Sequence, residues 1–170
     1  TKLSRTKRMG VQKESGFIQQ DIRSRDIRDM EVDQKDFILR DSIYETQHGS
    51  EHFIEYINEK DNDKIAGFVR LRLQDDFFDE ELFRFENLKS LSDKCALIRE
   101  LHVYGTVKKI NETGRQSQHI GFGKRLMTEA ERVAKEAGYK KMAVIAGVGV
   151  RKYYEKLGYS LENSYMVKYI

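Results

Sequence analysis

Gln118-His119-Ile120-Gly121-Phe122-Gly123 is the stretch whose residue types and spacing best suit chemistry. Two glycines at the start of an amphipathic segment let backbone come close to a ligand. The unpaired N–H groups and dipole of a helix beginning there make an anion site that suits a pyrophosphate. It is not a Walker loop, because no Gly-Lys-Ser/Thr follows at the right spacing. Nor is it the dinucleotide fingerprint, which needs glycine where Leu126 stands. The alternative is a helix start whose glycines serve packing. A second place is Glu100-Leu101-His102. Its acid and imidazole are the groups on that strand that position or activate a water or an acceptor. The plain alternative is a buried Glu100 paired with Arg99 or Arg70, and a satisfied His102.

The elements that must hold these residues are readable from periodicity. Phe53 to Asn58 reads as a strand, and Lys64 to Leu73 alternates apolar and polar positions as a second, with a hairpin turn at Asn62-Asp63. Leu82 to Leu88 reads as another strand. Ala96 to Tyr104 follows, ended by Gly105, and puts Glu100 and His102 on one face because side chains two apart point the same way. Gly105 to Ser117 is polar and turn-rich, the length of a functional or disordered loop. Phe122, Leu126, Ala130, Val133 and Ala137 recur at helical spacing, and Gly138 supplies the stop. Met142 to Ala146 is an unbroken apolar run, as in a strand covered on both faces within a parallel pair. Strand, helix and strand then form a βαβ unit. A short helix from Arg151 to Leu157 and a strand from Tyr165 to Ile170 complete the chain.

Composition limits the classes. The 170 residues are one domain's worth of chain, 39% hydrophobic and 35% charged, with no proline. About 8 prolines would be usual at that length; their absence excludes collagen and PxxP ligands. Cys95 stands alone, so neither an intrachain disulfide nor a cysteine-based zinc site is possible within the chain, and no metal site is expected. No run approaches the length of a membrane span and no signal peptide opens the sequence, so the chain reads as cytoplasmic. Opening on Thr1-Lys2-Leu3-Ser4, it reads as a piece of something longer. Residues 1–28 carry eight bases against three acids, more positive than the whole chain's net +3. Arg5, Lys7, Arg8, Arg23, Arg25 and Arg28 suit contact with nucleic acid, the alternative being a solvated tail or linker helix. Asp75, Asp76, Asp79, Glu80, Glu81 and Glu86 form an opposite patch, read as a solvated face, the alternative being a surface for a basic partner.

Gln118-x-x-Gly121-x-Gly123 between a strand and an amphipathic helix resembles the coenzyme A pyrophosphate motif of the GCN5-related N-acetyltransferase superfamily. Tyr153-Tyr154-Glu155-Lys156-Leu157-Gly158-Tyr159 resembles its second signature. Arg99 to Gly105, Gln118 to Arg132, Ala146 to Tyr154 and Tyr165 to Lys168 are more specific. With Asp21-Ile22-Arg23-Ser24-Arg25 they resemble the acetyltransferase domain of the Elongator catalytic-subunit family over residues 20–170. The resemblance implies an α/β (α+β) fold: a mixed, mostly antiparallel sheet with one splayed parallel pair, flanked by helices. It implies an acetyl-CoA-binding domain over residues 36–170, and in 1–35 a basic extension or linker to a radical S-adenosylmethionine domain lying before residue 1.

That family modifies carbon 5 of the wobble uridine of tRNA towards 5-carboxymethyluridine. The resemblance implies tRNA-dependent cleavage of acetyl-CoA, with S-adenosylmethionine and a 4Fe-4S iron–sulfur cluster bound outside this chain, and other Elongator subunits as partners. Glu100, Leu101, His102 and Val103 then match the strand lining acetyl-CoA. Gln118, Gly121, Phe122, Gly123 and Lys124 match the loop on its phosphates, Lys124 adding charge. Tyr154, with Tyr153 second, protonates or hydrogen-bonds the leaving thiolate. Gln19-Gln20 stand where many relatives have cysteine, and Ser164 where proline is common. A protein lysine acetyltransferase and a non-catalytic coenzyme-binding docking domain are the competing readings.

Overall fold

The structure is a computed structural model and describes residues 21–27, 33–74, 91, 94–104 and 121–170. Strands β1 (Ile38–Thr46), β2 (Gly49–Asn58), β3 (Lys64–Gln74) and β4 (Cys95–Val103) precede helix α1 (Phe122–Glu136). Strand β5 (Lys141–Val144), helix α2 (Arg151–Glu155) and strands β6 (Ser160–Glu162) and β7 (Tyr165–Tyr169) follow. They form one sheet in the order β1-β2-β3-β4-β5-β7-β6. Among the described strands, only β4 and β5 run parallel. This is the mixed sheet with one parallel pair that the motifs implied.

The hairpin between β2 and β3 turns where expected, on Asn62 and Asp63 at φ 48° and 56°, the left-handed region these residues tolerate. Helix α1 lays Leu126, Met127, Ala130 and Ala134 against Ile54, Val69, Leu71, Ala96 and Ile98. Its buried stripe is rotated from the one expected: Met127 and Ala134 are buried, Val133 is partly so and Ala137 is exposed. A Cβ at Gly67 would lie 2.9 Å from the His102 carbonyl and 3.3 Å from Leu126, so glycine is what lets β3 pass this close. Helix α2 is shorter than expected, and β1 and β6 are additional strands. The strand expected at Leu82 to Leu88 and the loop from Gly105 to Ser117 lie outside the described residues.

Residues 21–27 belong to this body. Ile65 N–H donates to the Arg25 carbonyl at 2.6 Å, and Ile27 N–H to the Ile65 carbonyl at 3.3 Å. Ile27 is 1% exposed among Phe37, Ala66 and Phe122. The Arg25 guanidinium lies on Glu55 at 2.7 Å, where Arg40 also reaches the carboxylate at 2.6 Å. At least this part of the expected extension is therefore built into the sheet.

Candidate functional site

Strands β4 and β5 are paired from Cys95 and Lys141 to Ile98 and Val144, and there the ladder ends. Strand β4 runs on to Val103 beside β3 alone, with Arg99 bulged between the pairs Leu71–Ile98 and Arg70–Glu100. The parallel pair thus parts at residue 99, and the β4 residues beyond it have lost their β5 neighbour. Glu100, Leu101, His102 and Val103, the expected lining strand, are the residues that follow.

Alternation divides these four. Leu101 and Val103 pack towards the α1 side. Glu100 and His102 lie on the opposite face, as expected, and both are exposed. Glu100 stands 3.8 Å from the Arg70 guanidinium. The His102 ring is stacked on Phe68 at 5.9 Å, with Tyr104 4.4 Å away. The buried Glu100 weighed as an alternative is thus not what the fold contains, although its pairing with Arg70 is. Phe68 and Tyr104 join the site unanticipated; the available signals were the alternation of β3 for Phe68 and the two-residue spacing from His102 for Tyr104. Burial, then the charges of Asp26 and Glu100, push the Tyr104 hydroxyl above its ordinary pKa.

On the other face, α1 begins at Phe122 with Gly121 as its N-cap. Phe122 is fully buried against Phe37 and Tyr56. A Cβ at Gly123 would lie 2.7 Å from the Tyr153 hydroxyl and 3.5 Å from Val103. Gly123 is therefore the point where α1, the freed end of β4 and α2 meet. Tyr153 is 37% exposed, whereas Tyr154 is 7% exposed, packed edge-on against Tyr159 at 6.0 Å. Burial raises both hydroxyls above the ordinary tyrosine pKa. Lys124 is exposed and lines a groove of about 470 Å³ with Leu39, Tyr56, Gly121, Arg125, Thr128 and Glu129. Beyond β5, a Cβ at Gly147 or Gly149 would meet nothing within 4 Å.

The expected nucleic-acid set is divided. Arg23 is exposed, whereas Arg25 is committed to Glu55 and to the Asp63 carbonyl at 2.9 Å and does not face solvent as a phosphate ligand would. Arg5, Lys7, Arg8, Arg28 and Gln118 lie outside the described residues. Among the described residues no three His, Cys, Asp or Glu side chains gather as a metal site would require, and no helix is long and apolar enough to cross a membrane.

The stretch of chain that builds this parted pair and the helix beside it is matched by a family model. The acetyltransferase (GNAT) family covers residues 20–159. The chain belongs to the GNAT family. Among curated GNAT-containing relatives, Elongator complex protein 3 of Mus musculus is 42% identical over 92% of this chain and 28% of its own length. The Homo sapiens protein of that name is 40% identical over 98% of this chain and 29% of its own. The solved archaeal Elp3 of Methanocaldococcus infernus, with an N-terminal deletion, is 39% identical. It superposes with a TM-score of 0.64 over 81% of this chain and 31% of its own. The chain thus spans under a third of the length of these relatives.

Proposed function

We propose that this GNAT chain is the acetyl-CoA-handling domain of an Elongator-type tRNA wobble-uridine modifying enzyme, acting in the cytoplasm. It cleaves the thioester when tRNA is present and supplies the acetyl group for the 5-carboxymethyl substituent. A radical S-adenosylmethionine domain with its iron–sulfur cluster, outside this chain, and other Elongator subunits complete the reaction. The observation that carries the reading is the free end of β4, whose Val103 meets Gly123 beside Tyr153 while Glu100 and His102 stand on the strand's opposite face.

The residues fit acetyl-CoA. A side chain at Gly123 would collide with Tyr153, and the parted strand leaves backbone groups for the amides of a pantetheine arm. Gly121, Phe122, Gly123 and Lys124 would hold the phosphates at the start of α1, where N–H groups and helix dipole favour negative charge. Leu101 and Val103 would line the arm. Bound there, acetyl-CoA supplies an activated acyl group. A buried tyrosine hydroxyl kept protonated at neutral pH can stabilise a departing thiolate. Tyr153 takes that role ahead of Tyr154, because its hydroxyl stands beside Gly123 while Tyr154 is packed in the core. Glu100 and His102 face the acceptor side, where either can accept a proton from the attacking group.

Thioester cleavage by the longer parent protein, with and without tRNA, tests this. Stimulation by tRNA, lost in Glu100→Gln, supports it. Equal acetylation of a histone-type peptide with no tRNA effect, or tight coenzyme binding with no cleavage in either condition, overturns it.

A further inference from the structure

The sheet face opposite α1 carries a pattern that the acetyl-CoA site does not use. Strand register places three transverse rows on it: Tyr44, Glu51 and Arg72; then Phe53, Arg70 and Glu100; then Glu55, Phe68 and His102. Ile22 packs over the Phe68 end and Leu91 over the Cys95 end. Between these the rows are open: Tyr44 is 50% exposed, and the Arg70 and Arg99 side chains are 36% and 48% exposed.

The arginines are held in place. Glu51, its side chain only 15% exposed, accepts from Arg70 Nε at 2.8 Å with one oxygen and from Arg99 Nη1 at 2.8 Å with the other. Burial alone would raise the Glu51 pKa, but Arg70 and then Arg99 outweigh it and hold it below the usual carboxylate range. Arg72 donates to the Thr46 hydroxyl and, at 3.1 Å, to the His48 carbonyl. One inward-turned carboxylate thus braces two guanidinium groups, and a third is fixed beside them by neutral acceptors. With Glu55 taken up by Arg25 and Arg40, three arginines face the two carboxylates Glu51 and Glu100, a surplus of one positive charge carried on side chains held in place. Rings of Tyr44, Phe53 and His102 are interleaved with it. Charge for phosphates alternating with flat faces for bases is the chemistry that binds single-stranded nucleic acid.

We propose that this face is an RNA-contact surface: Arg72 and Arg99 engage phosphates, Tyr44 stacks on a base, and the strand is led along the sheet towards Glu100 and His102. This rests on the tRNA reading given above and assigns the route by which the acceptor reaches the site.

The test is binding of an anticodon stem-loop bearing uridine at the wobble position to the 170-residue chain, across a salt series, with acetyl-CoA affinity and melting temperature recorded for every variant. Arg72→Ala with Arg99→Ala should weaken binding about tenfold and flatten the slope of log K against log salt by about 1 to 2. The paired Lys substitutions should restore the slope. Tyr44→Ala, on the exposed edge strand, should cost about fivefold or more with the slope unchanged. It keeps the test available if the double variant does not fold. Unchanged affinity and slope in the alanine variants, beside a wild type that binds and is stimulated, overturns this inference alone. A wild type that does not bind the stem-loop at all overturns it together with the tRNA reading.

Discussion

Gly123 carries no side chain because the Tyr153 hydroxyl stands where one would be, 2.7 Å from the Cβ position. Alanine is a better helix former than glycine by up to about 1 kcal/mol, so Gly123→Ala should leave stability nearly unchanged while pushing the tyrosine ring out of the opening. Acetyl-CoA affinity, read by calorimetry, should fall about tenfold; unchanged affinity would mean that the contact is mere packing. The two tyrosines answer a separate question. Burial raises both pKa values, Tyr153 receiving a further push from Tyr154. A proton donor with a raised pKa stays protonated through neutral pH, and its contribution is lost only as pH rises through that raised value, above about 10. Thioester cleavage should therefore show no descending limb from this group between about pH 6 and 9. Tyr153→Phe should lower kcat about a hundredfold and leave melting unchanged, whereas Tyr154→Phe should change kcat only a few-fold. The opposite ranking in kcat would return the acid role to Tyr154.

Among the elements, the segment of residues 21–27 is held by its bonds to Ile65, by the buried Ile27 and by a carboxylate. Glu55 is 2% exposed and holds Arg25 and Arg40 together, while Arg40 also reaches Asp63 at 2.8 Å. Removing one partner of a buried ionic group costs about 3–5 kcal/mol; here Arg40 keeps Asp63 and it is the Arg25 charge that loses its carboxylate, so the low end of that range is expected. Glu55→Ala should show that loss in urea denaturation, with amide exchange rising first at Arg25 and Ile27; exchange spread evenly over the sheet would refute the clamp. This contact was invisible in the sequence, since Arg25 and Glu55 lie far apart in the chain and only the fold brings them together. Strands β3 and β4 and helix α1 were legible because each buries a face, which writes a period into the sequence, and β5 because burial on both faces writes an unbroken apolar run. Edge strand β1 buries none of its nine residues, leaving no such period to read. The glycines of the site were legible for a local reason, backbone approach. Choosing between Tyr153 and Tyr154 was not, because neighbouring helical residues are about 100° apart and only packing decides which one turns inward.

At the scale of the whole molecule, a strongly basic stretch of sequence precedes a segment that is bonded into the sheet. Residues 1–20 carry five bases, Lys2, Arg5, Lys7, Arg8 and Lys13, against Glu14, and residues 21–27 are bonded into the sheet along Ile65. Two truncations separate charge from fold. Deleting residues 1–20 should weaken tRNA binding and flatten its salt dependence by several units of slope, since each lost phosphate contact removes about one; melting and acetyl-CoA affinity should stay as they were. Deleting residues 1–28 removes Ile27 from between Phe37 and Phe122 and strips Arg25 from Glu55, so it should lower the melting temperature as well and loosen the start of α1. Circular dichroism melting beside the salt series distinguishes them. If both truncations melt like the full chain, residues 21–27 are dispensable to the fold. If the shorter deletion leaves the salt slope untouched, the leader does not touch RNA and the arginines of the sheet face must carry the whole electrostatic contribution.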